Sequence, residues 1–182
     1  MNQIKLHNKI FEKYIEHQDI LKAVQTVAQQ INHDMRDEDT PVFLSVLNGS
    51  FMFAADLMKQ INFNCRLHFI KLSSYSGIAS QGSVKEIIGL NTSLTGKTVI
   101  LLEDVVDSGT TLEHLVAMIS KMQVKQLKIC TLLFKPEVCK SNIKPDYVGM
   151  HVSNDFIVGY GLDYDELGRN YPDIYKIVEP VK

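Results

Sequence analysis

A short run of acidic and hydroxylated residues near the middle of the chain has the composition of a reactive site. Glu103 and Asp104 are adjacent carboxylates, and Asp107 follows after two apolar residues. Carboxylates in this arrangement suit sugar hydroxyls, a divalent metal or proton transfer. Four small or hydroxylated residues come next: Ser108, Gly109, Thr110 and Thr111. Their backbone N–H groups can close around a phosphate, so the acids and the turn together predict a sugar-phosphate site.

The residues on either side of this run predict the elements that must hold it. The apolar stretch 99–102 predicts a buried parallel strand before the acids. Leu112 and Leu115 begin a helical spacing after the turn, and the N-terminus of that helix would add partial positive charge beside a phosphate. Thr110 and Glu113 also fit a capping box that would start the helix, which is compatible with an anion site. The turn matches neither the Walker A motif nor G-x-G-x-x-G, which excludes those two nucleotide-binding classes.

The rest of the chain alternates apolar strands with amphipathic helices, which predicts an α/β fold. We expect a mainly parallel, twisted sheet that is flanked by helices on both faces. Ligands bind such sheets outside the carboxyl ends of the strands, where Asn48-Gly49, Glu103-Asp104 and Lys135 are all predicted to lie. The predicted strands are 42–47, 66–75, 84–90, 99–102, 128–134, 147–152 and 156–160, and the predicted helices are 19–35, 51–59 and 112–119.

Length, charge and cysteine content narrow the class of protein. A chain of 182 residues favours one domain. A net charge of −2 without a basic run argues against a nucleic-acid or membrane-surface partner. No apolar stretch approaches the roughly 20 residues that span a bilayer. The first residues do not resemble a secretory signal, and the three cysteines lack C-x-x-C spacing, so we expect free thiols in a cytoplasmic protein.

The stretch TVILLEDVVDSGTT resembles the phosphoribosyl-pyrophosphate loop of type I phosphoribosyltransferases. That signature combines an apolar strand, two acids, two apolar residues, a third acid and small hydroxylated residues. Further segments follow the order of one family, the bacterial hypoxanthine-guanine phosphoribosyltransferases, over nearly the whole chain. The segment 155–169 is the most discriminating, because other phosphoribosyltransferases lack it. The segments are LNGSFMFAADL (47–57), SSY (73–75), LLFKPE (132–137) and DFIVGYGLDYDELGR (155–169).

This resemblance implies a purine salvage reaction and a fold. The 5-phosphoribosyl group would pass from phosphoribosyl pyrophosphate to N9 of hypoxanthine or guanine, giving IMP or GMP and pyrophosphate, with Mg²⁺ as cofactor. The type I phosphoribosyltransferase fold would form a single domain, 1–182, with a core of about 36–150. A small hood would come from residues 1–18 and 151–182. Relatives are homodimers or homotetramers, so we expect a homo-oligomer.

The resemblance also implies roles for the acids and the turn. Glu103 and Asp104 match the residues at the ribose 2′- and 3′-hydroxyls, near a bound metal. Asp107 matches the catalytic residue at purine N7, a general base or hydrogen-bond partner. Residues 107–111 match the loop that binds the 5′-phosphate. Asp163 matches a further metal ligand, so Glu103, Asp104 and Asp163 form the implied metal set.

Three residues match the purine-binding positions of the family. Lys135 corresponds to the lysine that donates to the exocyclic O6. An ammonium group only donates hydrogen bonds, so it favours an oxo group over the amino group of adenine. Phe156 corresponds to the aromatic residue that stacks on the base, and Ile157 to the residue whose backbone meets the base edge.

The remaining matches concern pyrophosphate and a lid. The loop that receives pyrophosphate corresponds to Asn48 and Gly49, preceded by a peptide bond that can be cis in the family, and Arg169 corresponds to the pyrophosphate-binding arginine. Many relatives have a basic residue where this chain has Asn48, so binding would depend on backbone amides, magnesium and Arg169. Ser74 and Tyr75 match the start of the mobile lid.

Two alternative functions stay open. A regulator that keeps this fold and binds RNA or DNA would need a basic face or an added domain, and it could lose Asp107. A sibling enzyme could act on xanthine or on a pyrimidine. Lys135 and Phe156 favour a 6-oxopurine over a pyrimidine, but they do not separate hypoxanthine, guanine and xanthine, which differ at C2.

Overall fold

The computed structural model describes residues 2–74 and 85–178 of the chain. Ten strands and three helices are found in this part of the chain. In chain order they are β1 (Gln3–Leu6), β2 (Lys9–Ile15), α1 (His17–Asp34), β3 (Val42–Val46), α2 (Phe51–Met58), β4 (Arg66–Ser74), β5 (Lys85–Ile88), β6 (Thr98–Val106), α3 (Thr110–Ser120), β7 (Gln126–Phe134), β8 (Tyr147–His151), β9 (Ile157–Val158) and β10 (Ile174–Ile177).

A six-stranded sheet forms the centre of the molecule, in the order β5-β4-β3-β6-β7-β8. Five of these strands are parallel, and β5 pairs antiparallel with β4 at one edge. The acid-tipped strand β6 lies between β3 and β7. Residues 99–102 of β6 are fully buried, as expected for a strand that is covered on both faces. The predicted α/β fold with a mainly parallel sheet is confirmed.

Helices cover both faces of this sheet because their apolar residues recur at helical spacing. On one face, α1 buries Ile20, Val24 and Val27 in the same cluster as residues of α2. On the other face, α3 buries Leu112 and Leu115 in a second cluster. No helix within residues 2–74 and 85–178 combines the length and apolarity needed to cross a bilayer.

The first two strands and the last two strands of the described residues form a second, antiparallel sheet with the order β1-β2-β10-β9. This sheet confirms the small hood that the resemblance implies. Its strands β1, β2 and β10 are not predicted from the sequence pattern. In β2 only Phe11 is buried, and charged residues alternate with the apolar ones, so the strand carries little hydrophobic signal.

The central strand gives a direct test of the packing. We expect Ile100→Ala to lower the free energy of unfolding by about 2–5 kcal/mol, because the fully buried side chain leaves a cavity between β6 and the helices. Denaturant unfolding followed by circular dichroism measures this change. Ile10→Ala in β2, where the residue is 48% exposed, is the matched control and should change it by less than about 1 kcal/mol. Equal losses for both variants would contradict the assigned core.

Candidate active site

The carboxyl end of β6 opens into a cleft of about 280 Å³. The cleft includes the acids predicted to bind ribose and most of the turn predicted to bind phosphate. Thr110 differs, because it starts α3 with an exposed side chain. The residues that line the cleft are Glu103, Asp104, Val105, Val106, Asp107, Ser108, Gly109, Thr111 and Leu112.

The turn between β6 and α3 is built around Gly109. Its φ of 85° lies in the left-handed region, and a Cβ atom there would clash with the side chain of Ser141. Gly109 occupies the N-cap position of α3 and has no side chain to cap it, while Ser108 Oγ accepts a long hydrogen bond of 3.4 Å from the N–H of Thr110. The predicted capping box of Thr110 and Glu113 is therefore wrong, because Thr110 is already helical. Without a cap from Gly109, backbone N–H groups of the first turn can bind an anion at the cleft.

A segment that sequence reasoning missed supports this turn from behind. The backbone N–H of Lys140 donates to the carbonyl of Ser108 at 3.1 Å, and Ser141 is 4% exposed under Gly109. The N–H of Cys139 donates to the carbonyl of Lys135 at 3.2 Å. The same short segment thus connects the predicted phosphate turn with the predicted purine lysine. The sequence of this segment has no hydrophobic periodicity that could have identified this role.

The two acids at the end of β6 sit in an environment that disfavours charge. Glu103 is 6% exposed, and burial raises its pKa well above the usual value, with a further increase from the charge of Asp104. Burial also raises the pKa of Asp104 to about 6, although the N–H of Val105 donates to its carboxylate at 2.8 Å and Arg169 favours its ionised form. A metal ion or sugar hydroxyls would stabilise these carboxylates.

Two glycines allow the 47–49 loop to pack closely against both Asp104 and the hood. The Asp104 carboxylate occupies the space that a Cβ atom on Gly49 would need, so only glycine fits there. The carbonyl of Gly49 in turn occupies the space of a Cβ on Gly161, whose φ is 99°. The peptide bond between Leu47 and Asn48 is cis. The close approach of Gly49 and Asp104 places the predicted pyrophosphate loop directly against the predicted ribose acid.

Arg169 and Asp163 reach the same region from the hood. Arg169 Nη2 and Asp163 Oδ1 form an ion pair at 2.7 Å, and Arg169 Nη1 donates to the carbonyl of Gly161 at 2.8 Å. Their charges act on the pKa of Asp104 in opposite directions, since Arg169 lowers it and Asp163 raises it. The structure thus brings the predicted pyrophosphate arginine and the predicted metal ligand close to Asp104.

Lys135 and Asp107 form a second ion pair beside the cleft. The Nζ atom of Lys135 lies 3.0 Å from Asp107 Oδ2. Lys135 is 5% exposed at the end of β7, where its own N–H donates to the carbonyl of Val106 at 3.0 Å. The Asp107 side chain is 52% exposed. A buried donor, Lys135, therefore lies beside an accessible acceptor, Asp107, that lines the cleft.

The residues predicted to contact the base lie on the hood, and those predicted to start the lid follow β4. Phe156 is 47% exposed on the hood, with its ring centroid 6.2 Å from Phe11 and 5.8 Å from Tyr164. Ile157 is buried in β9 and pairs with β10. Ser74 is the last residue of β4, and the predicted lid residue Tyr75 lies outside the described residues.

Comparison with known proteins agrees with the fold. Residues 12–165 match the phosphoribosyl transferase domain, so the chain belongs to the phosphoribosyl transferase domain family. It is 40% identical over 161 residues to the hypoxanthine-guanine phosphoribosyltransferase of Bacillus subtilis strain 168, covering 88% of this chain and 89% of the relative.

Two solved structures are also similar. The hypoxanthine phosphoribosyltransferase of Staphylococcus aureus superposes with a TM-score of 0.84 at 36% identity, covering 92% of this chain and 91% of its own. A hypoxanthine-guanine phosphoribosyltransferase of Bacillus anthracis gives a TM-score of 0.80 at 40% identity, covering 91% of this chain and 96% of its own.

The burial of Asp104 predicts a pH-dependent gain in stability on removal of its charge. Its pKa of about 6 in the folded protein exceeds the ordinary 3.8, so the ionised form destabilises the fold above pH 6 and progressively less as the pH falls toward 4. We expect Asp104→Asn to raise the free energy of unfolding by up to about 3 kcal/mol at pH 8, and by about half as much at pH 5.

Thermal or denaturant unfolding at the two pH values measures this gain. The matched control is Asp165→Asn, which removes the charge of an exposed aspartate on the hood and should leave stability unchanged at both pH values. If Asp104→Asn is less stable than the unsubstituted protein at pH 8, the ionised carboxylate stabilises the fold and the prediction is wrong.

Proposed function

We propose that this protein transfers the 5-phosphoribosyl group of phosphoribosyl pyrophosphate to N9 of hypoxanthine or guanine. The products are IMP or GMP and pyrophosphate, and the role is purine salvage. The observation that carries the proposal is the buried Lys135 amine beside Asp107, at the edge of a cleft that ends in Glu103 and Asp104. The relatives named above, which are called hypoxanthine-guanine phosphoribosyltransferases, support it.

The Lys135–Asp107 pair matches the edge of a 6-oxopurine. Lys135 only donates hydrogen bonds, so it complements the O6 oxygen, whereas adenine would place an amino group against it. Rejection through such a mismatch can reach roughly 10⁴-fold. Asp107 accepts the hydrogen at the neighbouring N7, which leaves the lone pair of N9 free to attack C1′. The exposed ring of Phe156 offers a face for stacking, and the backbone of Ile157 is proposed to meet the edge of the base.

The cleft supplies the contacts for ribose 5-phosphate. The carboxylates of Glu103 and Asp104 accept hydrogen bonds from the ribose 2′- and 3′-hydroxyls, and their charge favours the positive charge that develops on the sugar. The N–H groups of residues 108–111 bind the 5′-phosphate at the N-terminus of α3. Burial makes these electrostatic contacts stronger than they would be in water.

Pyrophosphate is held by the loop and the hood in this proposal. Asn48 and Gly49 contribute backbone groups, and Arg169 contributes positive charge. No three His, Cys, Asp or Glu side chains gather as a metal cluster in residues 2–74 and 85–178. Mg²⁺ commonly needs only one or two carboxylates, with water and phosphate oxygens completing its shell, so Asp104 and Asp163 suit it. Glu103 is the third proposed ligand, and a bound Mg²⁺ would offset charge on the departing pyrophosphate.

Several broader assignments stay predictions. We expect a single domain over 1–182, a lid that starts at Ser74 and Tyr75, and a homodimer or homotetramer. The three free cysteines support a cytoplasmic location. The near-neutral charge gives no support to a nucleic-acid partner.

Release of pyrophosphate from phosphoribosyl pyrophosphate tests the function directly. The purified protein is supplied with Mg²⁺ and, in separate reactions, hypoxanthine, guanine, xanthine, adenine or uracil. We expect release with hypoxanthine or guanine, and little with adenine or uracil. Binding of phosphoribosyl pyrophosphate without release for any base would favour the regulator, and release with xanthine alone would favour the sibling enzyme.

The role of Asp107 predicts a specific loss. We expect Asp107→Asn to slow turnover by roughly 10²-fold or more, because an amide cannot take the proton from N7. Binding of phosphoribosyl pyrophosphate, measured by calorimetry, should stay close to that of the unsubstituted protein. Asp37→Asn, at an exposed acid outside the cleft, is the control and should leave turnover unchanged. Unaltered turnover in Asp107→Asn would remove Asp107 from proton transfer.

The role of Lys135 predicts a loss confined to the base. We expect Lys135→Ala to weaken 6-oxopurine binding while binding of phosphoribosyl pyrophosphate is preserved, because the amine meets O6 and not the sugar. KM for each substrate measures the difference. Lys121→Ala, at an exposed lysine after α3, should change neither value. An equal loss of affinity for both substrates would contradict the assignment.

A further inference from the structure

The hood turn at residues 159–161 has an unusual backbone and one buried side chain. All three residues have positive φ, of 97°, 48° and 99°. Gly159 and Gly161 tolerate this conformation, whereas Tyr160 adopts it between them. Tyr160 is 1% exposed, and its hydroxyl donates to Asp56 Oδ2 at 2.7 Å. The turn is therefore fixed to α2 by one hydrogen bond across the molecule.

The same turn holds the predicted pyrophosphate arginine. The N–H of Gly161 donates to the carbonyl of Arg169 at 3.0 Å, and Arg169 Nη1 donates back to the carbonyl of Gly161 at 2.8 Å. Arg169 also pairs with Asp163 at 2.7 Å. A shift of the turn would therefore move the guanidinium group with it.

The other partner of the hydrogen bond belongs to the element that follows the pyrophosphate loop. Asp56 lies on α2, which begins at Phe51, shortly after Asn48 and Gly49. Gly161 lies against the carbonyl of Gly49 with no room for a Cβ atom between them. The hydrogen bond and this backbone contact together fix how far Arg169 stands from the loop.

The charges around this hydrogen bond determine which of the two groups donates. Partial burial opposes ionisation of Asp56, but Lys59, at 2.8 Å, and Tyr160 outweigh it and hold the pKa of Asp56 below its usual value. Burial, together with Asp56, raises the pKa of Tyr160. The ring of His17 packs 6.0 Å from that of Tyr160. Tyr160 thus stays the donor and Asp56 the acceptor.

We propose that Tyr160 and Asp56 are positioning residues for pyrophosphate. Their hydrogen bond sets the spacing between Arg169 and the Asn48–Gly49 loop, and thereby the affinity for the pyrophosphate group of the substrate and of the product. Neither residue touches the reacting atoms. The inference rests on the proposed function, because it takes that reaction's pyrophosphate as the group bound.

A second tyrosine provides a matched control within the same chain. Tyr147 is 4% exposed, and its hydroxyl donates to Asp34 Oδ2 at 3.0 Å, joining β8 to the end of α1. It therefore makes the same kind of bond to a helix aspartate, in a place that the cleft does not include. Its loss measures what such a bond contributes to stability alone.

The test compares Tyr160→Phe with Tyr147→Phe. The dissociation constant of pyrophosphate is measured by calorimetry in the presence of Mg²⁺, together with kcat, KM for both substrates and the melting temperature. We expect Tyr160→Phe to weaken pyrophosphate binding and raise KM for phosphoribosyl pyrophosphate by about tenfold. Its KM for hypoxanthine and its kcat should change by less than about twofold. Tyr147→Phe should lower the melting temperature without changing pyrophosphate binding.

Two Asp56 variants keep the test decisive if Tyr160→Phe fails to fold. Asp56→Asn retains an oxygen that accepts from Tyr160 and should stay near the unsubstituted protein, whereas Asp56→Ala should weaken pyrophosphate binding as Tyr160→Phe does. Unchanged pyrophosphate binding in Tyr160→Phe or Asp56→Ala, or an equal loss in Tyr147→Phe, would overturn the inference alone. If the unsubstituted protein bound neither pyrophosphate nor phosphoribosyl pyrophosphate, the proposed function would fail as well.

Discussion

The close approach of Asp104 to the backbone of Gly49 is the constraint on which the rest of the site depends. A carboxylate at the end of a central strand can lie against a neighbouring loop only if that loop has no side chain there. The hood then adds Gly161 on the far side of the same loop, again without a side chain. Strand β6 thus meets the loop through one carboxylate, and the loop meets the hood backbone to backbone, so groups from three distant parts of the sequence lie close together.

This packing lowers the stability of the folded protein, because it buries two acidic groups. Two carboxylates, Glu103 and Asp104, are kept where burial raises their pKa values. A fold selected for stability alone would place apolar or amide groups at these positions. Local destabilisation of this kind is characteristic of functional sites, because a ligand that pairs with a buried carboxylate compensates for the loss of its hydration.

The sheet and its acid-tipped strand could be predicted because they follow strong local patterns. The helical period of α1 predicted it close to its observed bounds. The uninterrupted apolar residues 99–102 located β6 correctly, but the strand continues to Val106, beyond the acids that were predicted to follow it. The hood strands were not predicted, since β2 buries only Phe11 and its neighbours are charged. The capping box was wrong because Gly109 takes a left-handed conformation that its sequence neighbours do not specify.

The contacts between distant segments could not be derived from local patterns. The resemblance placed Asp163 and Arg169 at one site, but it gave no sign that Tyr160 bonds to Asp56, which lies 104 positions away in the sequence. Such a pair depends on how hood and core meet, and a single sequence contains no record of that geometry. The Gly-Tyr-Gly triplet does indicate a tight turn, because glycine readily adopts the positive φ values that such turns need. It does not indicate which residue the tyrosine contacts.

The ion pair between Lys135 and Asp107 has a consequence for how tightly the lysine can hold a ligand. A buried ammonium group without a partner would be costly. Because Asp107 Oδ2 stands 3.0 Å from Lys135 Nζ, the amine has its partner within the protein. Any ligand that takes a hydrogen bond from Lys135 competes with this carboxylate, so part of the gross attraction is offset by an interaction that already exists. The pair therefore limits the affinity that a single buried cation can provide.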